Sequence, residues 1–249
     1  MNVIAKATLT ALAGNGVSGL PAYRRALVSA CDALPPVFGK KRFGERYHRG
    51  ARDPEWVARS LALAAQGEGD GAEHLWDLAA CTPDADLASQ IKRHAIDEAR
   101  HSRAYITLLE LIFPGCVDDQ LRPLLQQLSP GYTKTSPLAP TKGSPYAIPA
   151  TVDELIQMNL AEIRTRTVHL LQRPAFLAYC RADRRPRARR ILDSLLLDET
   201  RHIAYTARLV ERTARESGIE RVMDLMRQRL KDFNEITDDE MAGKRFVAA

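Results

Sequence analysis

Aromatic residues are scarce, at 6% of 249, while Ala, Leu and Arg abound, which favours helix. Cysteines are few and scattered. Cys31, Cys81, Cys116 and Cys180 include no C-x-x-C pair, which excludes a rubredoxin-type or zinc-ribbon module and fits a reduced, cytoplasmic chain. No run reaches the roughly 18 apolar residues of a membrane span. The apolar start, Met1 to Gly14, is interrupted by Lys6 and Thr8, so it reads as a helix or arm rather than a signal peptide.

What is present describes a globular chain: 45% hydrophobic and 27% charged, long enough for one large domain or two small ones. The net charge is +5 and the pI about 9.1, supplied mostly by arginine. A mild excess of this kind is first a basic surface. It also suits an anionic substrate, an acidic carrier protein or nucleic acid.

One pattern occurs twice: Asp97-Glu98-Ala99-Arg100-His101 and Asp198-Glu199-Thr200-Arg201-His202. Each contains Glu-x-x-His. Residues three apart share a helix face, so carboxylate and imidazole point the same way. Two facing helices would bring two carboxylates and two imidazoles to one interior point, a site for iron or manganese.

The chain divides around these motifs. Residues 1–52 form an N-terminal extension, with helices predicted over the first dozen residues and around Ala22–Leu34, stopped by Pro35-Pro36. The basic stretch Lys40 to Arg52 reads as a solvated loop, with a lid or anionic-partner contact as the sharper reading. Asp53-Pro54-Glu55 supplies an N-cap, a proline at the first helical position and an acid in the first turn. The helix that follows, to about Ala80, carries the stripe Val57, Leu61, Ala64, Glu68, Ala72, Leu75, Ala79. Gly67, Gly69 and Gly71 surround its one carboxylate and predict a distortion, or close approach of a ligand, unless the helix breaks there.

A second helix over about 86–113 has the stripe Leu87, Ile91, His94, Glu98, His101, Tyr105, Leu108, Ile112, polar at the centre and apolar at both ends. Residues 114–150 hold seven of the fourteen prolines and predict a long crossover with a short helix near 118–128. A third helix starts at the capping box Thr151–Glu154 and runs to about Gln172, ahead of Pro174, with Leu155, Met158, Glu162, Thr165 and His169 on one face. After six arginines in 181–190, a fourth runs to about Arg215 with Leu192, Leu195, Glu199, His202, Thr206 and Leu209, and Ser217-Gly218 ends it. A further amphipathic helix at about 219–235 and a polar tail complete the 216–249 segment.

Four helices thus each place one carboxylate mid-stripe: Glu68, Glu98, Glu162 and Glu199. Unpartnered buried carboxylates are costly, and four together repel. Two divalent cations neutralise four carboxylates, which favours a dinuclear site. Glu73 and Asp77 rival Glu68 as first ligand, but they share a polar face with Gln66 and Asp70, whereas Glu68 lies on the apolar one.

Glu, Glu-x-x-His, Glu, Glu-x-x-His, with a long connection between the second and third helices, resembles the ferritin-like di-iron carboxylate proteins over residues 54–215. The resemblance implies an all-α, ferritin-like four-helix bundle with extra N- and C-terminal helices, forming one domain over 1–249. It implies metal ligands Glu68, Glu98, His101, Glu162, Glu199 and His202, holding two Fe, or Mn and Fe. The longer Asp-Glu-x-Arg-His form is similar to that of bacterial multicomponent monooxygenases and approaches that of acyl-carrier-protein desaturases. It implies that Asp97, Asp198, Arg100 and Arg201 support the ligating histidines. The Gly-Glu at 67–68 is similar to aldehyde-deformylating oxygenases.

His94 departs from the common pattern, and Leu195 stands at its equivalent on the fourth helix. An added histidine resembles the arylamine N-oxygenases of this superfamily, where it sits on the last helix. His94 is therefore a candidate extra ligand or acid-base group, against an ordinary supporting or core histidine, and His169 has a weaker claim. Tyr105 and Thr165 share the ligand faces and are candidates to line the pocket, with plain core as the alternative.

The expectation is an enzyme that uses O₂ as co-substrate to oxidise a small molecule, an amine, an acid or a carrier-bound acyl group, with electrons from an external donor. A homodimer is compatible with this reading. The alternative is a ferroxidase or peroxide scavenger. Long extensions argue against a storage shell, and a rubrerythrin-like peroxidase usually carries the rubredoxin module excluded above. Hydroxylation of a tRNA base draws only on arginine richness, with no RNA-binding motif beside it.

Overall fold

In a computed structural model of the chain, residues 1–243 are described. Among them are nine α-helices, one 3₁₀ turn and no strand. The helices are α1 (Val3–Gly14), α2 (Pro21–Ala33), α3 (Lys41–Gly50), α4 (Pro54–Cys81), α5 (Ala85–Ile112), α6 (Leu121–Gln127), α7 (Val152–Tyr179), α8 (Arg185–Ser217) and α9 (Ile219–Met241). None is long and apolar enough to cross a membrane. Packing divides the chain into two compact units. Among the described residues one takes in Met1–Arg49, Thr151–Gln172 and 196–243, and the other Gly50–Ala150 and Arg173–Leu195. Helices α7 and α8 contribute a part to each.

In the first unit α2 packs against both α1 and α9. Tyr23 of α2 is fully buried, and its hydroxyl donates to Asn159 Oδ1 at 3.0 Å. Asn159 Nδ2 donates to Thr206 Oγ1 at 2.9 Å and to the Ile203 carbonyl at 3.2 Å. The Tyr23 backbone N–H donates to the buried Glu211 carboxylate at 2.9 Å. A buried Arg164–Glu240 pair joins α7 to α9. Gly218 turns the chain from α8 into α9 at φ +91, a left-handed conformation that suits glycine.

In the second unit α4 and α5 pack along their length across the short connection Thr82–Asp84. Asp53 caps α4 by accepting from the Glu55 N–H, and Asp84 caps α5 by accepting from Asp86 and Leu87. Their apolar faces, with Val57, Leu61, Tyr105 and Leu108, form a core with Phe176, Leu192 and Leu195. Residues 129–150 are fastened along this pair. Tyr132 stacks on Trp76 and Tyr146 on His74, with centroids 4.1 and 3.8 Å apart. The Thr141 N–H donates to Asp77 Oδ1 at 2.7 Å, and the Ala150 N–H to Thr82 Oγ1 at 3.0 Å.

Several boundaries differ from the sequence reading. The basic stretch after Lys40 is helix α3, anchored by the buried pair Phe43 and Tyr47. Helix α4 continues unbroken past Gly67, Gly69 and Gly71. The close approach at Gly69 is by the chain itself, since an added Cβ would lie 1.8 Å from the Leu128 carbonyl oxygen. Helix α7 runs through Pro174 to Tyr179. Proline removes one bond to the residue four back, and Leu170 lies on an exposed face where water can serve its carbonyl. Most of the arginine cluster falls inside α8. Arg184, just before α8, and Arg185, its first residue, donate to the Glu110 and Cys180 carbonyls at the ends of α5 and α7. The tail beyond residue 243 lies outside the described residues.

Candidate metal centre

Every residue of the expected ligand set is buried, and each sits where its helix stripe placed it. Glu68 is 9% exposed on α4, and Glu98 and His101 are 5% and 0% exposed on α5. Glu162 on α7 is 8% exposed, and Glu199 and His202 on α8 are 0% and 3% exposed.

In the unit built on α4 and α5, His101 Nδ1 lies 3.3 Å from Glu98 Oε2 and 3.8 Å from Glu68 Oε2. His94 Nε2 lies 2.9 Å from the other Glu98 oxygen, Oε1. Burial, and after it the charge of Glu98, push the Glu68 carboxyl well above the ordinary carboxylate range. A cation placed among these oxygens would relieve both effects.

The other unit repeats the arrangement. His202 Nδ1 lies 3.7 Å from Glu162 Oε2 and 3.8 Å from Glu199 Oε2. Each motif histidine therefore turns its Nδ1 toward the glutamate three residues before it and toward the glutamate of the preceding long helix. The recurrence follows from the i, i+3 spacing, which fixes both side chains on one face.

Two groups of buried donors are tight enough to hold a metal ion. His94, Glu98, Glu162 and His202 form one, and Glu68, His101 and Glu199 the other, with the offered atoms of each within 4.8 Å of one another. The set contains carboxylate oxygen and imidazole nitrogen with no thiolate. That chemistry fits iron, manganese, cobalt or zinc and disfavours soft Cu(I). Glu98 faces His94 through one oxygen and His101 through the other, so its two oxygens serve different groups.

The rival first ligands separate clearly. Glu73 is exposed, while Asp77 is buried but takes the Thr141 N–H. Asp97 accepts from Arg100 at 2.9 Å, and Asp198, buried, pairs with Arg201. His169 is buried but belongs to neither donor group. Tyr105 lies in the apolar core of its unit, and Thr165 is half-buried on α7.

Two residues near the centre escaped the sequence reading. Arg166, one turn after Glu162, donates from Nε to Thr200 Oγ1 at 3.0 Å. Burial lowers the pKa of its guanidinium, and the charge of Glu199 opposes that shift. Asn159, three residues before Glu162, bonds Thr206, whose hydroxyl donates to the His202 carbonyl at 2.7 Å. The available signal was polarity at helical spacing from Glu162, which a search restricted to Glu and His passes over. No family model, no curated protein and no solved structure matches the chain.

Proposed function

We propose that α4, α5, α7 and α8 form a ferritin-like bundle around a dinuclear iron centre, and that the protein is a non-haem di-iron oxidase or oxygenase acting with O₂ on a small molecule. The observation that carries this reading is the sorting of seven buried donors from four helices into two groups, each of one-ion size. Glu68, Glu98, His101, Glu162, Glu199 and His202 would hold the metals. Four carboxylates balance two divalent charges, which removes the penalty of burying them together. Bound ferrous ions supply electrons for the reduction of O₂.

The chain's own residues supply the rest. Burial of the donors keeps bulk water from the centre. Arg100 and Arg201 hold Asp97 and Asp198, the residues next to Glu98 and Glu199, and fix the backbone from which those ligands project. The Asn159–Thr206 link fixes the turn that carries His202. The same donors accept manganese in one position. Electrons for repeated turnover come from a separate donor, and an acidic carrier protein is the partner the basic surface favours.

The test is to load the protein anaerobically with Fe(II), add O₂, and follow O₂ uptake and product mass with amines, acids and carrier-bound acyl groups. Uptake coupled to a substrate 16 or 32 mass units heavier, or two lighter, supports the reading. Oxidation to a ferric product that no substrate alters assigns the protein to the ferroxidase class instead.

A further inference from the structure

We infer that His94 is a metal ligand that makes the two metal positions unequal, an inference that rests on the dinuclear reading. The two motif copies differ at one donor. His94 stands one turn before Glu98, and Leu195 occupies the corresponding place before Glu199. The His94 side chain is almost fully buried, and its Nε2 lies 2.9 Å from Glu98 Oε1. It falls in the group with Glu98, Glu162 and His202, whereas His101 is the only histidine of the group with Glu68 and Glu199.

The donor sets follow. One position has two imidazole nitrogens with Glu98 and Glu162. The other has one imidazole with Glu68 and Glu199, and Glu98 Oε2 lies 3.3 Å from that imidazole. Imidazole favours iron, cobalt and zinc, whereas a carboxylate-rich set suits manganese. The His94 position therefore fills first with iron or cobalt, and the Glu68 position is the weaker one that tolerates manganese. A histidine that merely packed beside Glu98 would not affect the order of filling, so the two roles separate in a metal titration.

The experiment titrates metal-free, full-length protein with Co(II), following visible absorption and heat. The wild type takes up two Co(II) per chain in two steps, separated by at least about tenfold in affinity. His94→Ala removes the tighter step and changes the first-step spectrum, while His101→Ala leaves the tighter step and weakens the second. His94→Gln, closer in volume, loses the tighter step as well and guards against a packing defect in the alanine variant. Two Co(II) bound by both His94 variants with wild-type affinities and spectrum would remove His94 from the ligand set and leave the dinuclear reading intact. Fewer than two Co(II) in the wild type overturns that reading and this inference together.

Discussion

At the scale of single residues, the candidate site was the most legible part of the chain. A glutamate in an otherwise apolar helical stripe is a costly placement, and Glu68, Glu98, Glu162 and Glu199 are each buried as their stripes required. Spacing cannot say which donors from different helices share an ion. Only packing groups His94 with Glu162 and His202. Asp77 shows the converse: it lies on a polar helix face, yet it is 2% exposed and fastens residue 141. Away from the centre, burial and then the charge of Asp32 push the Cys31 thiol from its ordinary 9.0 up to about 12. The folded chain keeps this proton while the unfolded chain loses it, so stability is intact below about pH 9 and falls as pH rises toward 12. The urea midpoint is expected to drop between pH 8 and pH 10, and to drop less in Cys31→Ala. An equal drop in both proteins would show that Cys31 does not contribute.

At the scale of elements, the long helices were legible because caps and stripes agreed: Asp53-Pro54 begins α4 and Gly218 closes α8, while the Asp84 cap of α5 emerges only in the structure. The misreadings came from residues whose local preference was overruled. Pro174 ends an isolated helix but lies inside α7, where Phe176, two residues on, joins the core. Helix α3 has only Phe43 and Tyr47 as apolar anchors, too few to register as a stripe. The glycines of α4 are unequal in a way spacing cannot reveal. At Gly69 a Cβ would meet the Leu128 carbonyl, whereas at Gly71 nothing lies within 4 Å. Gly69→Ala should therefore destabilise the protein by about 1–3 kcal/mol, through displacement of the chain at 128–130. Gly71→Ala should stabilise it by about 0.5–1 kcal/mol. Urea denaturation of the two variants checks the pair, and similar effects from both would contradict the close approach at Gly69.

At the scale of the whole molecule, the sequence foretold an all-helical chain with a long connection between its second and third long helices, and α5 and α7 are joined in that way. The fastening of residues 129–150 along α4 and α5 was not foretold, because it depends on ring stacking and backbone bonds between residues far apart in the sequence. Of the six arginines in 181–190, two cap neighbouring helices rather than adding to an open basic surface. The functional reading thus rests less on surface charge than on the buried donors. The measurement that tests it most directly is the iron content of protein loaded anaerobically with Fe(II) and desalted, set beside Glu98→Ala and Glu199→Ala. The dinuclear account predicts two iron per chain in the wild type and a marked loss in each variant. One iron or none in the wild type, or two retained by both variants, would contradict it.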